Sequence, residues 1–271
     1  MKASKFLGTL MLSTIALTAA ASMASAETTV FKEDLNKTNE MQVEITTGTD
    51  VKPPVDPTKP TIEDPDKIKG VIGISKVSPL FFQQVKLSGQ AVTTAAQFYE
   101  KDENGKYKPT TQEMKDTYAT DDEFPAGVFT PSMVVVDARG TGEGWKVEAA
   151  ASELKAGEEV MKGAKLTFNS PIITTTEDNA AVLEGNYPTA DTAVSVAAGG
   201  TAETVLTAAK DVKQGMGTYY VRYMPKKMTI AGKEFKDSPV QLTVPASTKI
   251  GNYTGTITYT MKPEGAIKQA D

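Results

Sequence analysis

The 271-residue sequence contains no cysteine and no histidine. Without cysteine there are no disulfides and no lipid-accepting thiol, so the chain must be held together by packing alone. The two absences together exclude Ser-His-Asp and Cys-His catalysis and remove the usual zinc ligands. Tryptophan occurs once, as Trp145. Beyond residue 26 no apolar run is long enough to cross a bilayer, so no membrane span is expected in the mature protein. An excess of positive charge is missing too: 29 Lys and Arg stand against 34 Asp and Glu. Such a balance mildly repels nucleic acid, which is not expected as a partner. The carboxyl end, Ile267-Lys268-Gln269-Ala270-Asp271, shows no LPxTG-like sorting signal. Any attachment at a cell surface is therefore expected to be non-covalent.

The chain opens with Lys2 and Lys5, an uncharged apolar stretch over 6–21, and Ala24-Ser25-Ala26. This is the pattern of a secretory signal peptide, residues 1–26, cleaved after Ala26. Its removal takes away two lysines and no acids, moving the net charge from −5 to −7. Residues 27–68 form a polar N-terminal segment around "VKPPVDPTKPTIEDPD", 51–66, with five prolines. Proline fixes φ and biases its predecessor towards extended conformations, so this reads as a disordered Pro/Asp-rich linker of polyproline II character. Within it, residues 43–47 can pair as a short strand.

From 69 to 271 the pattern becomes short β-rich runs between turn residues. They include "GVIGISKV" (70–77), "FFQQVKL" (81–87), "SMVVVDA" (132–138), "WKVEA" (145–149), "KLTFN" (165–169), "TAVSV" (192–196), "TYYVRYM" (218–224), "VQLTV" (240–244) and "YTGTITYTM" (253–261). In the last, Tyr253, Ile257, Tyr259 and Met261 fall on one face and threonines on the other, the period of a half-buried strand. The organisation predicts an all-β fold, an antiparallel β-sandwich, Ig-like or similar. Helix is a minor component, with 89–99 as its best candidate, although that stretch also reads as a strand and turn. A further turn is expected near 153–159, and residues 100–122 form a polar insertion.

No catalytic motif is present, and an enzymatic role is not expected. Two facing carboxylates would suffice for a glycosidase, but most surface acids only solvate. "GTGEG", 140–144, is not a phosphate loop, because a strand rather than a helix follows it. The acidic linker lacks the alternating ligands of a Ca²⁺ loop. No cofactor and no metal are expected.

Several of these stretches together resemble the WxL-domain proteins of the Gram-positive cell surface. The resemblance rests on the signal peptide, the Pro-Asp spacer, "GVIGISKVSPLFF", "VVVDARGTGEGWKVEAAASEL", "GAKLTFNSP", "GMGTYY" and "VQLTVPASTKIGNYTGTITYTM". The proximal Trp-x-Leu motif stands here as Trp145-Lys146-Val147, the distal one as Tyr259-Thr260-Met261, with Pro263 earlier than usual. The resemblance implies export and non-covalent attachment to the peptidoglycan cell wall through the C-terminal domain, in company with other surface proteins. It names Trp145, Val147, Tyr253, Tyr259 and Met261 as candidate ligand-binding residues. Trp145 is read two ways, as a core side chain between sheets or as a ligand contact; an edge-exposed ring would serve both. Two rival functions stand beside wall binding. One is a structural subunit that pairs edge strands with another surface protein, and the other is a host-directed adhesin that uses 100–122.

Overall fold

A computed structural model describes residues 35–46, 72–110, 128–174, 187–210, 214–225, 228–230, 233–235 and 237–264. The expected signal peptide, the Pro/Asp linker and much of the polar insertion lie outside them. All described residues belong to one unit, Phe31–Ile267.

The first strands are β1 (Asn36–Thr46), β2 (Ile72–Val77), β3 (Leu80–Phe81), β4 (Val85–Lys86), β5 (Val92–Ala95), β6 (Tyr99–Lys101) and β7 (Tyr107–Pro109). Next come β8 (Val128–Phe129), β9 (Ser132–Asp137), β10 (Trp145–Ala151), β11 (Lys155–Ala156), β12 (Glu159–Val160), β13 (Lys165–Phe168) and β14 (Ile172–Thr174). The last are β15 (Val194–Ala197), β16 (Glu203–Ala208), β17 (Gly217–Arg222), β18 (Met228–Ile230), β19 (Lys233–Phe235), β20 (Val240–Val244) and β21 (Gly251–Pro263). No helix occurs among the described residues. The stretch 89–99 is strand β5 followed by the start of β6, and the turn near 153–159 joins β11 to β12 as a tight hairpin.

Three sheets enclose the core. The largest runs β12-β11-β21-β1-β3, with β10 beside β21, β16 beside β10 and β4 beside β1. The second is β15-β13-β20-β5 and the third β14-β17-β9-β2. Pairing is antiparallel except where β1 runs parallel to β3 and β4. The alternation in β10 and β21 places apolar side chains inward and polar ones outward, as a sheet with one buried face requires. Phe168 of β13 meets both Tyr223, just after β17, and Tyr259 of β21 edge-to-face, at centroid distances of 5.6 and 6.2 Å. One residue from each sheet region thus closes a single aromatic cluster.

The β fold also takes in a strand upstream of residue 69. β1 pairs with β21 over ten positions, from Asn36↔Thr260 to Ile45↔Gly251. Met41, Val43 and Ile45 of β1 are fully buried in the main core. The apolar alternation Met41, Val43, Ile45 makes this a half-buried strand, longer than the 43–47 expected from sequence.

Candidate functional site

The two motif stretches lie side by side. In the antiparallel β10–β21 pair, Trp145 stands opposite Pro263, Val147 opposite Met261 and Ala149 opposite Tyr259. Trp145 and Tyr259 are therefore four residues apart in register, about 13 Å along the strand. They share a face without being cross-strand partners. Tyr253 sits further along β21, opposite Val43 of β1.

All five candidate residues point inward. Trp145, Val147 and Tyr253 have no exposed surface, and Met261 and Tyr259 retain 1% and 3%. The Trp145 indole N–H donates to the Gly215 carbonyl at 3.1 Å, which satisfies its only polar group. The fit requires glycine. A Cβ on Gly215 would lie 2.6 Å from the Trp145 Nε1 and against Ala208 Cβ, and its φ of +77° already disfavours other residues. Gly144 is equally constrained: at φ +76° its Cβ would come within 2.6 Å of the Ala208 carbonyl.

A buried ion pair braces the loop before Trp145. Arg139 Nε and Nη2 donate to the two oxygens of Asp137 at 2.9 and 2.8 Å, and Nη2 also donates to the Gly144 carbonyl at 3.0 Å. The Asp137 side chain is fully buried. This is the bidentate geometry that makes a desolvated pair tolerable. Tyr219 closes the other side, donating its hydroxyl to the Met216 carbonyl at 3.0 Å. Burial, and then the Asp137 charge, push the Tyr219 phenol above its ordinary value. Met216 itself is 39% exposed, one of two large apolar side chains so exposed among the described residues.

The opposite face of the same strands is polar and accessible. Thr254, Thr256, Thr258 and Thr260 alternate along β21, with Asn36, Thr38, Glu40 and Gln42 beside them on β1. The Thr38 and Thr258 hydroxyls are 2.9 Å apart, and the Thr260 hydroxyl donates to Asn36 Oδ1 at 2.8 Å. On the β10 side, Lys146 pairs with Glu264 at 2.7 Å and Lys262 with Glu148 at 2.6 Å. The hydrogen bond and charge of Glu264 raise the Lys146 ammonium above its ordinary value. Among the described residues no three acidic side chains gather as a metal site would need. What this face offers is an array of hydroxyl, amide and paired-charge groups.

Comparison with known protein families matches residues 32–263 to the family described as WxL domain surface cell wall-binding. The chain belongs to the WxL domain family. It is accordingly a protein of the cell wall and cell surface, and the cell-wall-binding domain spans most of its length rather than a C-terminal part. No curated protein and no solved structure matches the chain. In this WxL domain the first and third residues of each motif face the core, and the middle residues, Lys146 and Thr260, face outward.

Sequence reasoning missed the Asp137–Arg139 brace and the seat that Gly215 forms for Trp145. Their signal was present in "DARGTGEGW" and "GMGTYY", but 70 residues separate Trp145 from Gly215. Only the fold joins them.

Proposed function

We propose that the chain is exported and held non-covalently on peptidoglycan by the outer face of the β10–β21–β1 sheet. Trp145, Val147, Tyr253, Tyr259 and Met261 act on binding from beneath, as positioning residues that keep the strands of that face in register. The observation that carries this reading is the burial of every candidate motif side chain, which leaves the outward rows as what these strands present to a polymer. A row of threonine hydroxyls at about 6.8 Å repeats, flanked by Asn and Gln amides, can exchange hydrogen bonds with the hydroxyl and amide groups of a glycan and its peptide stems. Binding of this polar, wet kind needs many weak contacts rather than one deep pocket. Without cysteine the chain cannot be held by a thiol-linked lipid.

The test uses Thr256→Glu/Thr258→Glu, two outward changes, the first opposite Glu40 of β1 and the second between Thr38 of β1 and Ala150 of β10. Retention on protein-stripped peptidoglycan should drop at least about tenfold, about 1.4 kcal/mol, while the thermal midpoint stays close to that of the parent. Undiminished retention at unchanged stability would move the wall site off this face.

A further inference from the structure

Along β21 the outward positions are Asn252, Thr254, Thr256, Thr258, Thr260 and Lys262. From Asn252 to Thr260 none of them is charged, over about 27 Å of strand. On β1, Asn36, Thr38, Glu40 and Gln42 stand opposite Thr260, Thr258, Thr256 and Thr254 in turn. On β10, Ala150 stands opposite Thr258 and Glu148 opposite Thr260. The strand β16 adds Thr204 opposite Glu148 and Thr207 opposite Lys146. The middle of the face is thus a lane of hydroxyl and amide groups. Cross-strand bonds such as those of Thr38 with Thr258 and of Thr260 with Asn36 use only part of its capacity, because a hydroxyl has one donor and two acceptor places. Thr254 and Thr256 are exposed.

The cations bordering this lane are already matched. Lys146 lies 2.7 Å from Glu264, Lys262 2.6 Å from Glu148, and Lys155, opposite Thr254 on β11, 2.9 Å from Glu153. These are all the basic residues of β10, β11 and β21. An incoming anion meets an ammonium and a carboxylate at nearly the same distance, so attraction and repulsion largely cancel. Such exposed pairs are weak, but opening one to seat another carboxylate only exchanges like for like. Glu40 is exposed and adds a further negative charge opposite Thr256. The face therefore has hydrogen bonds to offer a ligand and little net attraction for an anion.

We propose that this face recognises an uncharged chain of N-acetylated sugars, the glycan strand of the wall, rather than the charged peptide stems or an anionic polymer. The inference rests on the reading of this face as the wall site. Sugar hydroxyls and acetamido groups donate and accept hydrogen bonds without carrying charge, as the threonines, Asn36 and Gln42 do. Contacts between neutral groups are not screened by salt, so binding of this kind is nearly independent of ionic strength.

The test starts from full-length protein bound to protein-stripped peptidoglycan. It is challenged with a soluble N-acetylglucosamine oligosaccharide and, separately, with the stem peptides released from the same walls. The oligosaccharide should release the protein at a concentration at least about tenfold lower than the peptides require. Raising salt from about 0.01 M to about 1 M shortens the screening length from about 30 Å to about 3 Å, and retention should fall by less than about threefold. A smaller margin between the probes, release by neither, or a larger loss in salt overturns the inference alone, provided that Thr256→Glu/Thr258→Glu still weakens retention. If that double variant is retained as well as the parent, the site reading falls and the inference falls with it.

Discussion

The two ends of the buried aromatic row on β10 and β21 are built differently. At one end Trp145 is held by a directional bond to Gly215, by two glycines that no other residue can replace without a clash, and by the Asp137–Arg139 brace. At the other end Tyr259 and Tyr223 pack edge-on against Phe168, and the Tyr223 hydroxyl has no hydrogen-bond partner among the described residues. Burial pushes the Tyr223 phenol well above its ordinary value; burial, and then the neighbouring Tyr223, do the same to Tyr259. The first end is specified by polar geometry, the second by shape alone. A site fixed by directional bonds tolerates almost no substitution, whereas one fixed by shape accepts an isosteric change and resists added volume.

The largest effect that would break the contrast is at the Trp145 end. Trp145→Ala should cost about 3 to 5 kcal/mol, the range for removing a large aromatic from a packed interior, read from denaturant midpoints. A loss below about 1 kcal/mol would mean that the Gly215 seat collapses around the gap and is not rigid. Next comes Tyr259→Trp. Sequence alone would favour it, because it restores the usual motif residue, but the ring is enclosed by Phe168 and the core. The added volume should cost about 1 to 3 kcal/mol, with wall retention no better than the parent's. Stronger retention at unchanged stability would show that this end opens to the ligand.

The smallest effect is expected at Tyr223→Phe. Removing a buried hydroxyl that lacks a partner should be neutral or stabilising by up to about 1 kcal/mol at neutral pH. The same variant sharpens the comparison through pH. A phenol with a raised folded value keeps its proton longer in the folded protein than in the unfolded chain. The stability it contributes is therefore complete below about pH 10 and is lost as pH climbs from there through the folded value. Tyr223→Phe should reduce that alkaline loss, measured as the change in denaturant midpoint between pH 8 and 11. An identical loss in parent and variant would assign the alkaline transition to other groups.

Much of this was legible from residue order. The period-2 alternation of "YTGTITYTM" and "WKVEA" states which side chains face inward, because successive side chains in a strand point to opposite faces. "VQLTV" is β20 to the residue. Less legible were strands of two residues such as β8, which are too short to show a period, and β16 over "ETVLTA", where a bulge in its pairing with β10 breaks the alternation. The stretch 89–99 was ambiguous because its apolar spacing fits helix and strand alike, and pairing with β20 decided it.

By itself, the sequence determined the all-β class, the family motifs and the inward face of each motif strand, since these depend on local periodicity and residue type. Tertiary structure alone decided that Asn36–Thr46 is an inner strand of the largest sheet rather than part of the linker, because its stabilisation comes from β21, more than 200 residues away. It alone also placed the Trp145 ring within the core. Burial is a property of what covers a side chain, and the cover, Gly215, arrives from β17's leading turn, which no pattern around Trp145 encodes.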